Sequence, residues 1–396
     1  MFNKKVDTDM KRDPVCDQEV PECTPYKFEY GEQEYYFCSP ECMRSFRDMK
    51  KSVDRLKHSI DRETRLSFGK LNRDIIKPGI CTMCGACAAC CEFIEMRNDK
   101  PRIVGPCNGC GVCYNQCPRT ITTEEDLIGK IRFAYAARSK LKDIRGQDGG
   151  VVTSLLAYAL EEGLIDCAVV TTKSEAEPWK PVAIVAKSYD DLLKSSGSIY
   201  SHSMTIGRLM DSIQKGMHSI AFVGPSCNID AVYKMQKSSS GFLHQFMRAN
   251  VLRLGLFCMD TFSYDGIKEF ASNHGFSLKD IDAMKIRKGF FEFETKGKVL
   301  KYPLSEFDEY RSSSCKYCTD MAAENSDISF GGVGSPEGYT TVLARSVIGY
   351  EILKEAIDSC FIEARPLKDM EMGKVLNLAK LKKVQMYGIN RRDKKK

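Results

Sequence analysis

The chain has 396 residues, 43% apolar and 28% charged, enough for two or three domains with the make-up of a soluble globular protein. No stretch approaches the ~18 consecutive apolar residues of a membrane span, and the opening MFNKKVDTDMKRD lacks the apolar core of a signal peptide, which predicts a cytoplasmic protein. The net charge of +6 gathers in residues 44–73 and in Arg391-Arg392-Asp393-Lys394-Lys395-Lys396; solvated faces or a docking surface for an acidic redox partner both suit it, whereas nucleic-acid binding does not, because the basic runs lack interleaved aromatics.

The 19 cysteines, without an export signal, read as thiolates held for metal rather than as disulfides. Residues 11–49 form a first small unit. Tyr26 to Phe37 alternates around Gly31, which predicts a hairpin. Ser39-Pro40-Glu41 then supplies an N-cap, a first-turn proline and a first-turn acid for a short helix through Phe46. Cys16, Cys38 and Cys42 are spaced x21 and x3, and three soft thiolates suit Zn(II) or Cu(I); Cys23 is a candidate fourth sulfur. Asp13-Pro14-Val15-Cys16 and Tyr35-Tyr36-Phe37-Cys38-Ser39-Pro40-Glu41-Cys42 resemble the YHS/TRASH-like metal-binding domains. The resemblance implies a treble-clef-like fold and a bound zinc or other thiophilic metal, structural or, alternatively, for sensing or metal delivery.

Residues 50–76 read as a charged helical linker. Residues 77–120, dense in Cys, Gly and Pro, hold two runs, Cys81-x2-Cys84-x2-Cys87-x3-Cys91 and Cys107-x2-Cys110-x2-Cys113-x3-Cys117-Pro118. This is the spacing of bacterial two-cluster 4Fe-4S ferredoxins, in which the fourth cysteine of each run crosses to the other cluster. Cys81, Cys84, Cys87 and Cys117 are therefore expected on one cluster, and Cys107, Cys110, Cys113 and Cys91 on the other. Cys90 is an alternative to Cys91. Zinc ribbons present two thiolates per turn rather than three in series.

From 130 to 370 strand and helix patterns alternate, which predicts an α/β domain. Asp166–Thr172, Pro181–Lys187, Ser219–Gly224 and Val251–Cys258 read as buried strands. Gly149–Glu162, Asn228–Gln236 and Tyr264–His274 read as helices, and Phe290–Tyr302 as a hairpin around Lys296-Gly297. Gly146-Gln147-Asp148-Gly149-Gly150 precedes a helix, where backbone N–H groups can meet a phosphate; a plain helix-capping loop fits as well. It is neither a Walker loop nor a dinucleotide fingerprint. Residues 371–396 read as a basic tail.

GQDGGVVTSLLAYALEEGLID (146–166), SSGSIYSHS (195–203), AFVGPSCNIDAV (221–232), LGLFCMDTF (254–262), CKYCTD (315–320) and ISFGGVGSPEGYTTV (328–342) follow in order. Together they resemble the coenzyme F420 hydrogenase/dehydrogenase beta-subunit family. The resemblance implies FAD, with hydride moving between F420 and the flavin and single electrons passing through iron–sulfur clusters to a partner, or the reverse. It implies a third 4Fe-4S cluster on Cys227, Cys258, Cys315 and Cys318; residue patterns alone leave the first two as buried apolar cysteines and the last two as a zinc or redox pair. Cys167 and Cys360 read as ordinary core or surface cysteines. The flavin contacts it suggests are Gly146, Gln147, Asp148, Gly149 and Gly150, then Ser196, Ser198, Tyr200 and Ser201, then Gly332, Gly334, Ser335 and Gly338; turn chemistry explains the same residues.

Direct hydride transfer needs no side-chain acid or base, and none is assigned. Expected partners are F420 and a ferredoxin, hydrogenase, heterodisulfide reductase-like or membrane dehydrogenase complex. Two alternatives stay open: a ferredoxin-dependent flavoprotein reducing another organic substrate, and a metal-responsive redox adaptor working through the N-terminal unit.

Overall fold

The structure, a computed structural model, describes residues 10–389 apart from 17, 31–32, 59–65, 99, 122, 145 and 239–242. Gly31 and the terminal basic run thus lie outside the described residues. The chain divides into two compact units, residues 1–126 with 384–396, and residues 127–383.

In the first unit, β1 (Met10–Arg12) pairs antiparallel with β2 (Glu19–Pro21), and β3 (Lys27–Tyr30) with β4 (Gln33–Tyr36), the hairpin that the alternation predicts. The next helix, Pro40–His58, is capped by Ser39, whose Oγ accepts the Cys42 backbone N–H at 3.2 Å. It runs past the expected end at Phe46 because residues 41–58 contain no glycine or proline to stop it. Phe37, Cys42 and Phe46 are its buried core, too small to hold a fold alone.

Between the two cysteine runs stands a hairpin of β5 (Ile94–Arg97) and β6 (Lys100–Ile103) that the density of Cys, Gly and Pro hides in the sequence. Two four-residue helices, Ala86–Ala89 and Val112–Asn115, are each entered through a left-handed glycine, Gly85 (φ 78°) and Gly111 (φ 79°). Only glycine enters that region without steric cost. Tyr114 is fully buried and donates to Asp74 Oδ2 at 3.1 Å.

The second unit contributes β7 (Phe133–Ser139), β8 (Cys167–Lys173), β9 (Pro181–Ala186), β10 (Ser219–Pro225), β11 (Asn250–Leu256), β12 (Ala283–Arg287), β13 (Phe290–Thr295), β14 (Lys298–Pro303), β15 (Ile328–Gly331), β16 (Thr340–Ala344) and β17 (Ile362–Pro366). One mixed sheet has the order β17-β7-β16-β15-β11-β10-β8-β9. Its centre, β15, β11, β10 and β8, is parallel, and the outer strands are antiparallel. The period-two alternation of β8 shows why helices cover both faces. Ala168 and Val170 pack with Leu155 of helix Val151–Glu161 and Leu353 of helix Val347–Asp358. Cys167 and Val169 face Leu209 and Ile213 of helix Thr205–Gln214 and Ile229 and Val232 of helix Ser226–Lys237. Cys167 is thus a core cysteine, and Cys360 is exposed. β9, expected as a buried strand, is the half-buried edge.

β12, β13 and β14 form a separate antiparallel sheet whose Phe291 and Phe293 pack on Phe270 and Phe307; burying each ring contributes roughly 1.5–3 kcal/mol. A helix, Asp369–Ile389, occupies most of the segment expected to be a tail. Among the described residues no helix is long and apolar enough to cross a membrane.

Candidate functional site

Four groups of expected site residues can be located. In the N-terminal segment, Asp13, Cys16, Cys38 and Cys42 bring their ligand atoms within 4.8 Å of one another. Cys16 Sγ lies 3.4 Å from Cys38 Sγ, and Cys38 Sγ 3.7 Å from Cys42 Sγ. Asp13, rather than Cys23, completes this group. Its buried carboxylate accepts the backbone N–H groups of Val15 and Cys38, each at 2.8 Å. Burial, then Asp13 and the neighbouring thiols, push the Cys38 thiol far up. Burial also raises Cys42. Crowded thiolates and a carboxylate repel one another unless a cation joins them, so this donor set fits a thiophilic metal.

In the ferredoxin-like segment, Cys81, Cys84, Cys87 and Cys117 line one cavity with Leu71, Ile75, Ile76 and Pro101. Burial raises Cys117, and Cys81 and Cys84 add to it. Burial pushes Cys113 up to about 11, with Cys90, Cys107, Cys91 and Cys110 contributing. The thiols thus fall into two neighbourhoods, with Cys117 beside the first run and both Cys90 and Cys91 beside the second. Cys90 Sγ points to Cys87 O at 3.3 Å. Four or more thiols in each neighbourhood fit the ligand set of a four-iron cluster.

In the second unit, Cys227 opens the helix after β10, Cys258 follows β11, and Cys315 and Cys318 lie in and just after the turn Ser313–Tyr317. Met321 O accepts the Cys258 N–H at 2.9 Å, tying the last segment to the end of β11. Burial pushes Cys258 up to about 12; Lys382 opposes the rise, while Cys315, Cys227 and Cys318 add to it. Cys315 behaves differently. Burial pushes it up, but hydrogen bonds with His202 and Thr261, the Thr261 N–H and the charge of Lys382 bring it down to about 7. The Thr261 N–H approaches Cys315 Sγ at 3.4 Å, and Thr261 Oγ1 meets His202 Nε2 at 2.7 Å. Burial, a fixed N–H donor and sulfurs whose charges reach one another make a setting that fits an iron–sulfur cluster.

The loop Gly146–Gly150 lies against the same sheet. Gly149 N–H donates to Thr340 Oγ1 at 3.1 Å, and its carbonyl accepts Ser139 N–H at 2.6 Å. A Cβ on Gly149 would stand 2.5 Å from Ala137 O, so only glycine fits. Tyr200 O–H donates to Gln147 Oε1 at 2.9 Å and accepts Ile286 N–H at 2.9 Å. Ser198 also hydrogen-bonds Tyr200, whereas Ser196 closes the preceding turn on Leu193 O at 3.2 Å. Ser201 is half-buried beside Tyr200 in the chain. Asp148 Oδ2 occupies the space over Gly332, 2.1 Å from where a Cβ would be. Arg287 holds Asp148 Oδ1 at 2.9 Å, Gln147 O at 3.0 Å and Glu337 at 2.7 Å. Gly334 and Ser335 instead pack on Thr341, which accepts Ser335 N–H at 2.9 Å, and Gly338 faces open space. Three expected segments therefore meet through Gln147–Tyr200 and Asp148–Gly332.

Residues 134–209 and 217–370 match the N-terminal and C-terminal parts of the family described as coenzyme F420 hydrogenase/dehydrogenase, beta subunit, and residues 12–52 match the YHS domain. The beta subunit of coenzyme F420 hydrogenase from Methanothermobacter thermautotrophicus is 34% identical over 62% of this chain and 89% of its own. The chain belongs to the coenzyme F420 hydrogenase/dehydrogenase beta-subunit family. Within this family it is also 35% identical, over 79% of its length, to the coenzyme F420-dependent sulfite reductase of Methanocaldococcus jannaschii, of which it spans about half (51%). A solved structure of the F420-reducing [NiFe] hydrogenase complex from Methanosarcina barkeri contains a chain with a TM-score of 0.62 and 33% identity, covering 68% of this chain and 92% of that one. The family is one of F420-dependent oxidoreductases that transfer electrons.

Asp13, His202 and Thr261 lie inside the quoted motifs without being singled out as site residues, and Arg287 and Lys382 lie in none of them. All but Asp13 reach their sites from remote segments, and His202 and Thr261, 59 residues apart, touch only in the folded chain.

Proposed function

We propose that this chain is an electron-transfer subunit that takes hydride from reduced coenzyme F420 onto FAD and passes single electrons through three 4Fe-4S clusters to a partner protein, or runs the same path in reverse. The observation that carries the proposal is the convergence of Cys227, Cys258, Cys315 and Cys318 from three separate segments in the unit that also holds the glycine loop 146–150. Each of Cys227, Cys258 and Cys318 feels the charge of at least one other member, so the four sulfurs share one buried neighbourhood.

When bound, FAD supplies the exchange between two-electron and one-electron chemistry, and the clusters carry single electrons. The chain's residues bind and orient. Cys81, Cys84, Cys87 and Cys117 hold one ferredoxin-type cluster, and Cys107, Cys110, Cys113 and Cys91 the other. The Gly146–Gly150 loop, with N–H groups at a helix start, meets the flavin pyrophosphate. Gln147, Asp148, Tyr200 and Gly332 line the ring. Cys16, Cys38 and Cys42, with Asp13 beside them, hold zinc or another thiophilic metal. The compartment is the cytoplasm.

The likeness to half of an F420-dependent sulfite reductase supports an electron-input unit whose terminal acceptor is another protein. The test is anaerobic mixing of reconstituted full-length protein with reduced F420. Bleaching of bound flavin by reduced F420, and not by NADH or NADPH, is expected. Bleaching by reduced ferredoxin alone would replace this reading with a ferredoxin-dependent reductase.

A further inference from the structure

A lysine inside the cysteine quartet of the second unit has no part in ligation. Lys382 lies on the helix Asp369–Ile389, and its side chain is 1% exposed. Its ammonium donates to Met259 O and, at 3.2 Å, to Cys315 O; Asp260 Oδ1 stands 3.8 Å away. Met259 and Asp260 directly follow Cys258. The cation is thus held between the chain segments carrying two of the four thiols.

Asp260 does not neutralise it alone. Its other oxygen lies 3.5 Å from Arg311 Nη1, so one carboxylate is shared between two cations. Arg311 has its second partner in Asp308, at 2.6 Å, toward solvent. Lys382 has neutral carbonyls as its remaining partners. Its positive field acts on the sulfurs, lowering Cys258, Cys315 and Cys318 against the effect of burial.

Burying an ammonium costs several kcal/mol unless an anion repays it. A cube of four irons with four thiolates is such an anion, and one added electron makes it more negative. A fixed cation beside it stabilises the reduced form more than the oxidised form, and cluster charge and hydrogen bonding are what set these potentials.

We infer that Lys382 is a positioning residue that raises the reduction potential of the cluster held by Cys227, Cys258, Cys315 and Cys318, so that this cluster accepts electrons from the flavin. The inference rests on the third cluster proposed above. One electron enters from reduced flavin and none is lost elsewhere.

The test uses full-length protein reconstituted anaerobically, with paramagnetic resonance followed against applied potential. Lys382→Met keeps the length of the side chain and removes the charge. It should lower the midpoint of this one cluster by at least tenfold in the reduction equilibrium, about 59 mV for one electron. Lys382→Arg should restore most of the shift. Asp260→Asn, which removes a negative charge, should move the midpoint upward and serves if Lys382→Met fails to load iron. A carbonyl staple without electrostatic role would reduce cluster occupancy and leave the potential of the remaining clusters unmoved, and that result overturns the inference. So does an equal shift in Lys382→Arg and Lys382→Met. Iron content separates the two claims: about eight rather than about twelve atoms per wild-type chain defeats the third cluster itself, whereas about twelve with an unmoved midpoint defeats only the role of Lys382.

Discussion

Gly224 and Gly255 are register partners in the parallel pair of β10 and β11, and each is followed three residues later by a cysteine of the quartet. Cys227 and Cys258 therefore leave the sheet at the same level, at the carboxyl end of adjacent strands, where α/β folds place their chemistry. The turn carrying Cys315 and Cys318 comes to the same edge through the Cys258–Met321 hydrogen bond.

Gly255 is where that edge tolerates least. A Cβ there would lie 2.3 Å from Ala323 Cβ and 2.9 Å from Ser326 Cβ. Gly255→Ala should cost about 1–3 kcal/mol by overpacking and move Cys258 off its place. Denaturant unfolding should show the loss, with about four iron atoms missing from the reconstituted protein.

Acid should defeat loading of the quartet in a particular order. Thiolate is the ligand form. Cys315, near 7, gains its charge as pH rises through neutrality, while Cys258, near 12, stays a thiol until metal arrives. In metal-free protein, thiolate absorbance should show a step with a midpoint near 7 that disappears in Cys315→Ser. His202→Ala should move that step upward, because it removes a hydrogen bond that favours the thiolate. A step that survives Cys315→Ser would refute the assignment.

The two ferredoxin-type neighbourhoods should be separable. Cys113→Ser and Cys117→Ser should each lose about four irons and one low-potential resonance signal, and the two lost signals should differ. Loss of the same signal by both would mean that Cys117 does not cross to the first run.

At the N-terminal site, Cys38→Ser should abolish one equivalent of bound zinc and spare the iron, as measured by elemental analysis. Because burial raises Cys38 and Cys42, binding there releases protons and should weaken as pH falls. Asp13→Ala leaves the backbone N–H groups of Val15 and Cys38 without their acceptor and should cost about 1–3 kcal/mol, seen as a lower unfolding midpoint of that segment.

Where a feature depends on neighbours in sequence, the residues alone reveal it. The alternation of the β3–β4 hairpin, the buried run of β8 and the Ser39 cap are local, and the structure has each of them. The pairing of β7 with β16 and β17 is not local: Phe133–Ser139 meets residues more than 200 positions away. β15, β16 and β17 are four or five residues long, too short for a period to stand out amid glycine and serine. Lys382 lies in a stretch so rich in lysine that it reads as a tail, and only the fold distinguishes the lysines turned inward, Lys380 and Lys382. Gln147 and Tyr200 were legible as members of separate motifs, whereas their hydrogen bond was not.

The contrast in how the cysteines are gathered bears on maturation. Cys81 to Cys117 lie in one short stretch of chain, so the clusters proposed there would need only that stretch to be in place. The quartet spans residues 227 to 318 and converges only when β10, β11 and the turn beyond them are assembled, a high-contact-order event. If the quartet holds the cluster proposed above, iron could enter it only once the sheet is complete, and its loading would report completed folding of that sheet.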